Sequence, residues 1–135
     1  MLQNYALPVI QAAIQLQQDR SLQAVETLEV SRPYELGQGA LNFLYPAYLR
    51  GEAYLKAGRG ESAAAEFQKV LDHPGVMANF ITGALARLQL GRAQAMMGDK
   101  AAARKSYQDF LTLWKDADPD LPFYRQAKAE YAKLR

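Results

Sequence analysis

Residues 44–75 constrain the fold most, because their pattern of small and large side chains returns about 40 positions later. Five positions carry the pattern, and Gly51, Tyr54, Gly58, Ala63 and Phe67 are matched by Gly91, Gln94, Gly98, Ala103 and Tyr107. A fainter copy lies 39 positions earlier, at Ala12, Gln15, Asp19, Ala24 and Leu28. A period near 40 residues is typical of stacked helical hairpins. The sequence therefore predicts an all-α protein built from a repeated helix–turn–helix unit.

A glycine in the middle of a predicted helix indicates how the two helices of one unit meet. Gly51 occupies such a position, where glycine costs about 1 kcal/mol relative to alanine. The simplest reason is a close approach by a second helix, which we expect to come through Ala63, beyond the turn at residues 57–60. Tyr54 and Phe67 would fill the space further along the same seam.

Hydrophobic spacing and capping residues predict seven helices. Their expected ranges are about 4–17, 21–31, a third helix whose regular part follows Pro46, 61–72, 77–97, 100–115 and 119–134. Gly98 and Asp99 read as the end of one helix and the cap of the next. Asp118 is the expected N-cap of the last helix, and Pro119 its first residue. On the first two helices, one apolar side holds Leu7, Ile10 and Ile14, and Leu22, Val25 and Leu28 are expected to point inward.

These positions resemble the signature of tetratricopeptide (TPR) repeats. The middle copy carries Gly51-x-x-Tyr54, Gly58, Ala63, Phe67 and Pro74, and the last carries Leu90-Gly91, Gly98, Ala103 and Tyr107. Three features depart from the signature: Ala47 and Arg87 replace its early Trp, Arg50 replaces its Leu before Gly51, and the spacing is 40 rather than 34. The resemblance implies a single domain over residues 1–135, a TPR-like α-solenoid of three antiparallel hairpins at about 5–36, 44–75 and 84–115. The helix at 119–134 would cap its end.

The resemblance also implies a concave groove lined by the first helix of each pair, where TPR proteins hold a peptide segment. Carried onto this chain, the groove residues are Tyr45, Tyr48, Leu49, Glu52, Leu55, Lys56, Leu85, Leu88, Gln89, Arg92 and Met96. Tyr45, Tyr48 and Leu88 are the expected anchors, with Glu52, Lys56 and Arg92 orienting the partner. The TPR proteins that clamp acidic chaperone tails use Lys and Asn at groove positions that Tyr48, Glu52 and Leu88 fill here, so that partner class is disfavoured.

Two other interpretations of the groove residues stay open. Aromatic residues at helical spacing are usually core, so Tyr45, Tyr48 and Leu88 would then pack internally, against the residues between repeats or a folded-back last helix. Alternatively, the same surface would bind a second copy, which makes the chain a self-association module and a homodimer.

A narrower resemblance concerns the protein that such a domain serves. The runs at residues 88–93, 107–120 and 126–134 resemble the C-terminal TPR tail of bacterial multidomain serine/threonine protein kinases. The resemblance implies a docking or sensory segment of a signalling protein. No kinase motif is present in the sequence, so catalysis would lie elsewhere.

Composition and charge exclude several classes of partner. The chain has no cysteine and no run of 18 apolar residues, so neither disulfides nor a membrane span is expected. Its start lacks the basic segment of a secretion signal, and the expected location is the cytoplasm. The net charge is +2, and the ten Lys and Arg residues after position 86 are too sparse for the basic stripe of a nucleic-acid binder.

The residues that could perform chemistry have simpler interpretations. Asp116-x-Asp118-x-Asp120 begins like a calcium loop, but Leu121 replaces its glycine and Ala127 its bidentate acid, so a helix cap is preferred. His73 is the single histidine and precedes a proline, where a solvated side chain is expected. With no cysteine, no nucleophile pair is supported. We therefore expect no catalytic, cofactor-binding or metal-binding residues, and the predicted partner is a protein or peptide.

Overall fold

The computed structural model describes residues 6–35, 44–73, 80–115 and 120–134. Within these ranges there is no strand, so the prediction of an all-α protein is confirmed. The elements are α1 Leu7–Gln17, α2 Ser21–Leu28, a 3₁₀ helix Glu29–Tyr34, α3 Tyr45–Lys56, α4 Gly60–Asp72, α5 Phe80–Met96, α6 Lys100–Leu113 and α7 Pro122–Ala132.

The helices pack as neighbouring pairs, α1 with α2, α3 with α4 and α5 with α6, and α7 packs on α6. Three apolar clusters form the core. Each cluster combines the two helices of one pair with the next helix along the chain. Between helices that are not consecutive, the main contacts join first helices, α1 to α3 and α3 to α5. The first helices therefore form one layer, in which they approach each other closely, and the second helices form the other.

The turn inside each pair has the same backbone geometry in all three copies. Its central residue has a positive φ, which is 59° at Asp19, 76° at Gly58 and 85° at Gly98. The next backbone N–H then donates to a carbonyl five residues back, Arg20 to Gln15, Arg59 to Tyr54 and Asp99 to Gln94, at 2.8, 2.8 and 3.0 Å. This closes the helix in the manner of a Schellman motif. Glycine takes the conformation freely, and aspartate is one of the few other residues that tolerates it.

The close approach at Gly51 is made by Phe67. A Cβ atom at Gly51 would lie 2.7 Å from two carbons of the buried Phe67 ring. Ala63, to which the sequence assigned the contact, is fully buried in the same cluster. At Gly91 a Cβ would lie 3.1 Å from the Tyr107 ring. The missing side chain thus makes room for an aromatic ring.

A buried ionic cluster distinguishes the middle copy. The Arg50 guanidinium is fully buried and donates to Glu35 at 2.6 Å, to Glu66 at 3.0 Å and to the Leu28 carbonyl at 2.8 Å. Lys69 also pairs with Glu35. Burial acts to raise the pKa of Glu35, but hydrogen bonds from Arg50 and Lys69 outweigh it and hold that pKa below its usual range. The cluster fastens the 3₁₀ helix to α3 and α4.

In the first and last copies, the residue that matches Glu66 makes a hydrogen bond to an uncharged side chain on the other helix of its pair. Thr27 donates to the Gln15 side chain at 2.8 Å, and Ser106 donates to Gln94 at 2.7 Å, in both cases across 12 residues. The matching residue of the middle copy is Glu66, which turns to Arg50 instead. The replacement of the signature leucine by Arg50 therefore goes together with an acid at position 66.

The structure corrects two expectations about faces and boundaries, both on the second helix. On α1, the residues that the sequence placed on one side, Leu7, Ile10 and Ile14, are 49, 57 and 50% exposed. On α2 the prediction for Leu22 was wrong, because it is 47% exposed, whereas Val25 and Leu28 are buried as predicted. The second helix ends at Leu28 and continues as a 3₁₀ helix.

The sequence predicted N-cap residues for the last two helices, and the structure confirms the first of them. Asp99 caps α6 as predicted, since its carboxylate accepts a hydrogen bond from the Ala102 backbone N–H at 3.1 Å. The last helix begins at Pro122, not at Pro119, with Leu121 as its N-cap. Asp118 and Pro119 lie outside the described residues. Proline occupies the first turn in both the expected and the observed helix, which fits its fixed φ.

Candidate partner-binding groove

A groove of about 400 Å³ lies between α3 and α5, on the layer of first helices. Six side chains line it, namely Glu52, Leu55, Lys56, Gln89, Arg92 and Met96. All six belong to the eleven groove residues that the TPR resemblance implies. No residue of α7 lines this groove among those described, so in the structure that helix does not fill it.

The remaining five candidates take other places. Leu49 and Leu88 are 4% and 1% exposed and pack in the core beside α2 and α6, and Tyr48 is 7% exposed against Phe67. Leu85 packs against two core clusters. Tyr45 is exposed and stacks on Tyr48, with ring centroids 6.3 Å apart. Two of the three expected anchors, Tyr48 and Leu88, are therefore core residues, and Leu55 and Met96 are the apolar side chains that the groove presents.

Polar side chains link the groove to the C-terminal helix. The Gln89 amide donates to Glu52 at 3.4 Å, and Arg92 donates to the Gln89 oxygen at 3.0 Å. Arg92 also pairs with Glu130 of α7 at 3.1 Å and donates to Gln126 at 3.3 Å. These contacts fix the guanidinium at the edge of the groove. Sequence reasoning missed Glu130 and Gln126, although their four-residue spacing on one helix face is visible in the sequence.

Lys56 ties the opposite side of the groove to the first hairpin. Its ammonium group donates to the Leu16 carbonyl, near the end of α1, at 3.2 Å. Because that carbonyl is close to the helix C-terminus, a cation there is favourable. The lysine side chain is nevertheless exposed, so the same charge faces solvent at the groove.

Glu52 is a partly buried carboxyl in the groove, and its pKa is shifted. Partial burial raises the pKa of its carboxyl, and this outweighs hydrogen bonds from Tyr48 and Gln89 and the charges of Lys56 and Arg92. Burial likewise raises the pKa of the Tyr48 hydroxyl. In the groove this carboxyl accepts a hydrogen bond from the Gln89 amide.

The raised pKa of Glu52 predicts a pH dependence of stability that Glu52→Gln abolishes. Because the folded pKa lies above the unfolded one, the folded state gains stability as the pH falls through the folded pKa towards the ordinary value of 4.5. We therefore expect Glu52→Gln to be more stable than the wild type at pH 7. The advantage should shrink as the pH falls to about 4.5, measured by urea unfolding across pH. If the stability difference in favour of Glu52→Gln instead grows as the pH falls, the result would contradict a raised pKa for Glu52.

Two other places that the sequence analysis considered for chemistry are His73 and the Asp116–Asp120 segment. His73 donates a hydrogen bond through Nδ1 to the Lys69 carbonyl oxygen, at 2.9 Å. In the described part of the chain, no three acidic or histidine side chains are placed to hold a metal ion. Of the Asp116–Asp120 segment only Asp120 is described. None of the described helices has the length and apolar character needed to cross a membrane.

Comparison with known proteins adds no relative, since no family model, curated protein or solved structure matches this chain. The likeness to TPR proteins therefore depends on the repeated residues alone and remains a prediction from the sequence.

Proposed function

We propose that this chain is a non-catalytic, TPR-like scaffold that binds a protein or peptide segment in the groove between α3 and α5. The observation that carries the proposal is the groove itself, lined by apolar and charged side chains on two mutually packed helices. Such a surface is formed before binding, so the partner loses conformational entropy and the scaffold loses little.

The groove lining favours a segment with apolar side chains flanked by polar or acidic ones. Leu55 and Met96 offer apolar contacts, and methionine adapts readily to the shape of a partner. Lys56 adds positive charge on one side, Arg92 adds a guanidinium that is paired with Glu130 on the other, and burial raises the pKa of Glu52. Apolar contacts would then supply most of the affinity, and the two cations would set orientation.

Peptide selection followed by mutation tests the proposal. A randomised peptide library is selected on the purified chain, and the affinity of a selected peptide is measured by fluorescence anisotropy. Met96→Glu should weaken binding at least about tenfold, because a central apolar contact of an interface is worth more than about 1 kcal/mol.

Met97 provides a matched control. Met96 and Met97 are adjacent and equally exposed, at 48%, yet only Met96 lines the groove. Met97→Glu should therefore leave the peptide affinity unchanged. Equal loss in both variants, or in neither, would show that peptides bind elsewhere.

The proposal extends to the cellular role. Following the resemblance to kinase tails, the scaffold would serve as a docking or sensory segment of a bacterial signalling protein in the cytoplasm. A kinase or regulator domain encoded in the same reading frame would support this role. A reading frame that encodes an unrelated enzyme domain would count against it.

A further inference from the structure

The two cations that line the groove differ in what balances their charge. Lys56 is exposed, and in the described part of the chain its ammonium group donates only to the neutral Leu16 carbonyl. Arg92 instead forms an ion pair with Glu130 of α7, and its Nε lies 3.1 and 3.2 Å from the two carboxylate oxygens. The α3 side of the groove therefore offers a positive charge to a partner, whereas on the α5 side that charge is neutralised.

Glu130 is held in place by the core as well as by Arg92. The Tyr107 hydroxyl is a further donor to its carboxylate, at 3.3 Å, and the Tyr107 ring is buried where it packs at Gly91. Four residues earlier on α7, Gln126 accepts a hydrogen bond from Arg92 at 3.3 Å. A carboxylate fixed by an arginine and by the hydroxyl of a buried tyrosine is a better-defined partner than an isolated surface acid.

The hydrogen bonds of Arg92 indicate which partner atoms it can still bind. Each of its three nitrogens already donates within the chain, Nε to Glu130, Nη1 to Gln89 at 3.0 Å and Nη2 to Gln126. A guanidinium has five N–H groups, so it keeps donors for a neutral acceptor such as an amide oxygen. A partner carboxylate at the same place would lie close to Glu130, and like charges brought together in an interface are unfavourable.

Glu52 does not remove the difference between the two sides. Its carboxyl interacts with the charges of both Lys56 and Arg92, so it weakens the positive potential on both sides of the groove. The ion pair of Glu130, by contrast, is with Arg92 and not with Lys56. The inequality between the two sides therefore depends on the acid of α7.

We propose that Glu130 determines the charge preference of the groove, by confining recognition of acidic partner side chains to the Lys56 side. This inference rests on the proposed function, because it assigns the charges of the segment that the groove binds. The partner is then a segment with apolar side chains, an acidic residue at one flank and an uncharged polar residue at the other. Glu130 is not among the residues that line the groove, so it is a positioning residue that acts through Arg92.

An acid scan of a selected groove peptide tests the proposal. Each peptide position is replaced in turn by glutamate and by glutamine, and the ratio of the two dissociation constants is measured by fluorescence anisotropy at low salt. With the wild type, glutamate should bind about threefold more tightly than glutamine only at positions where Lys56→Gln abolishes the difference. With Glu130→Gln, a second set of positions should show the same preference, and the further change Arg92→Gln should abolish it.

Glu26→Gln is the matched control, since it removes one negative charge from an exposed residue of α2 that does not line the groove. Its scan should equal that of the wild type. Circular dichroism should show equal helix content in all variants, because glutamine keeps the shape of glutamate.

Three results would overturn the proposal. They are identical scans for Glu130→Gln and the wild type, a wild-type preference for glutamate that depends on Arg92, and a new preference that also arises in Glu26→Gln. A peptide whose affinity responds alike to Met96→Glu and Met97→Glu would contradict the groove itself, and this inference with it. The two failures are therefore distinguishable.

Discussion

Replacing Arg50 by leucine is expected to destabilise the protein by about 3–5 kcal/mol, because the change removes the buried guanidinium that two buried carboxylates share. Glu35 is fully buried and Glu66 nearly so, and both accept hydrogen bonds from Arg50. Lys69 would remain paired with Glu35, and the partly exposed Arg32 with Glu66. Urea unfolding at pH 7 measures the loss, which is a large share of the 5–15 kcal/mol stability of an ordinary domain.

A control and a compensated variant identify the cause. Arg87→Leu removes an arginine that is 40% exposed and 3.9 Å from Asp109, so its effect should stay within about 1 kcal/mol. The triple variant Arg50→Leu, Glu35→Leu and Glu66→Ser replaces the ionic cluster and should recover most of the loss. Two of its residues match Leu90 and Ser106 of the last copy. If Arg50→Leu costs no more than Arg87→Leu, the cluster does not stabilise the fold.

Replacing Gly51 by alanine is expected to cost about 1–3 kcal/mol, although alanine is the better helix former. The added Cβ would lie 2.7 Å from the Phe67 ring. That ring is fully buried and packs edge-on against Tyr48, so it has little room to move. Gly83 provides the control, because a Cβ there meets nothing within 4 Å. Gly83→Ala should therefore stabilise the protein, by about 0.5–1 kcal/mol in thermal or urea unfolding.

The first hairpin supplies the compensating change. At the positions of Gly51 and Phe67 it has Ala12 and Leu28, both fully buried in one cluster. The double variant Gly51→Ala and Phe67→Leu copies this pair, and it should be more stable than the sum of the single changes predicts. Strict additivity of the two changes would mean that they do not share a contact.

Features that depend on local geometry could be predicted from the sequence. The turns at Gly58 and Gly98 need positive φ, and Asp99 caps the following helix. Each of these features depends on a few neighbouring residues. The close approach at Gly51 was also visible as a glycine inside a helix. The six groove residues followed from the repeat register, since each is fixed by its distance from Gly51 or Gly91.

Features that depend on distant partners could not be predicted. Arg50 was visible as a departure from the repeat, but its partner Glu35 lies 15 residues away, directly after the 3₁₀ helix. The apolar side of α1 has the spacing of a buried face, yet Leu7, Ile10 and Ile14 are about half exposed in the structure. Tyr48 and Leu88 are at groove positions by register, yet their side chains reach the core because Phe67 and the α6 cluster accept them.

Mapping a selected peptide by backbone amide chemical shifts tests the central claim most directly. On titration into the isotopically labelled chain, we expect the largest shifts on α3 and α5, at Glu52, Leu55, Gln89 and Met96, the residues that line the groove. Shifts confined to the second helices α2, α4 and α6, with the groove amides unmoved, would contradict the account.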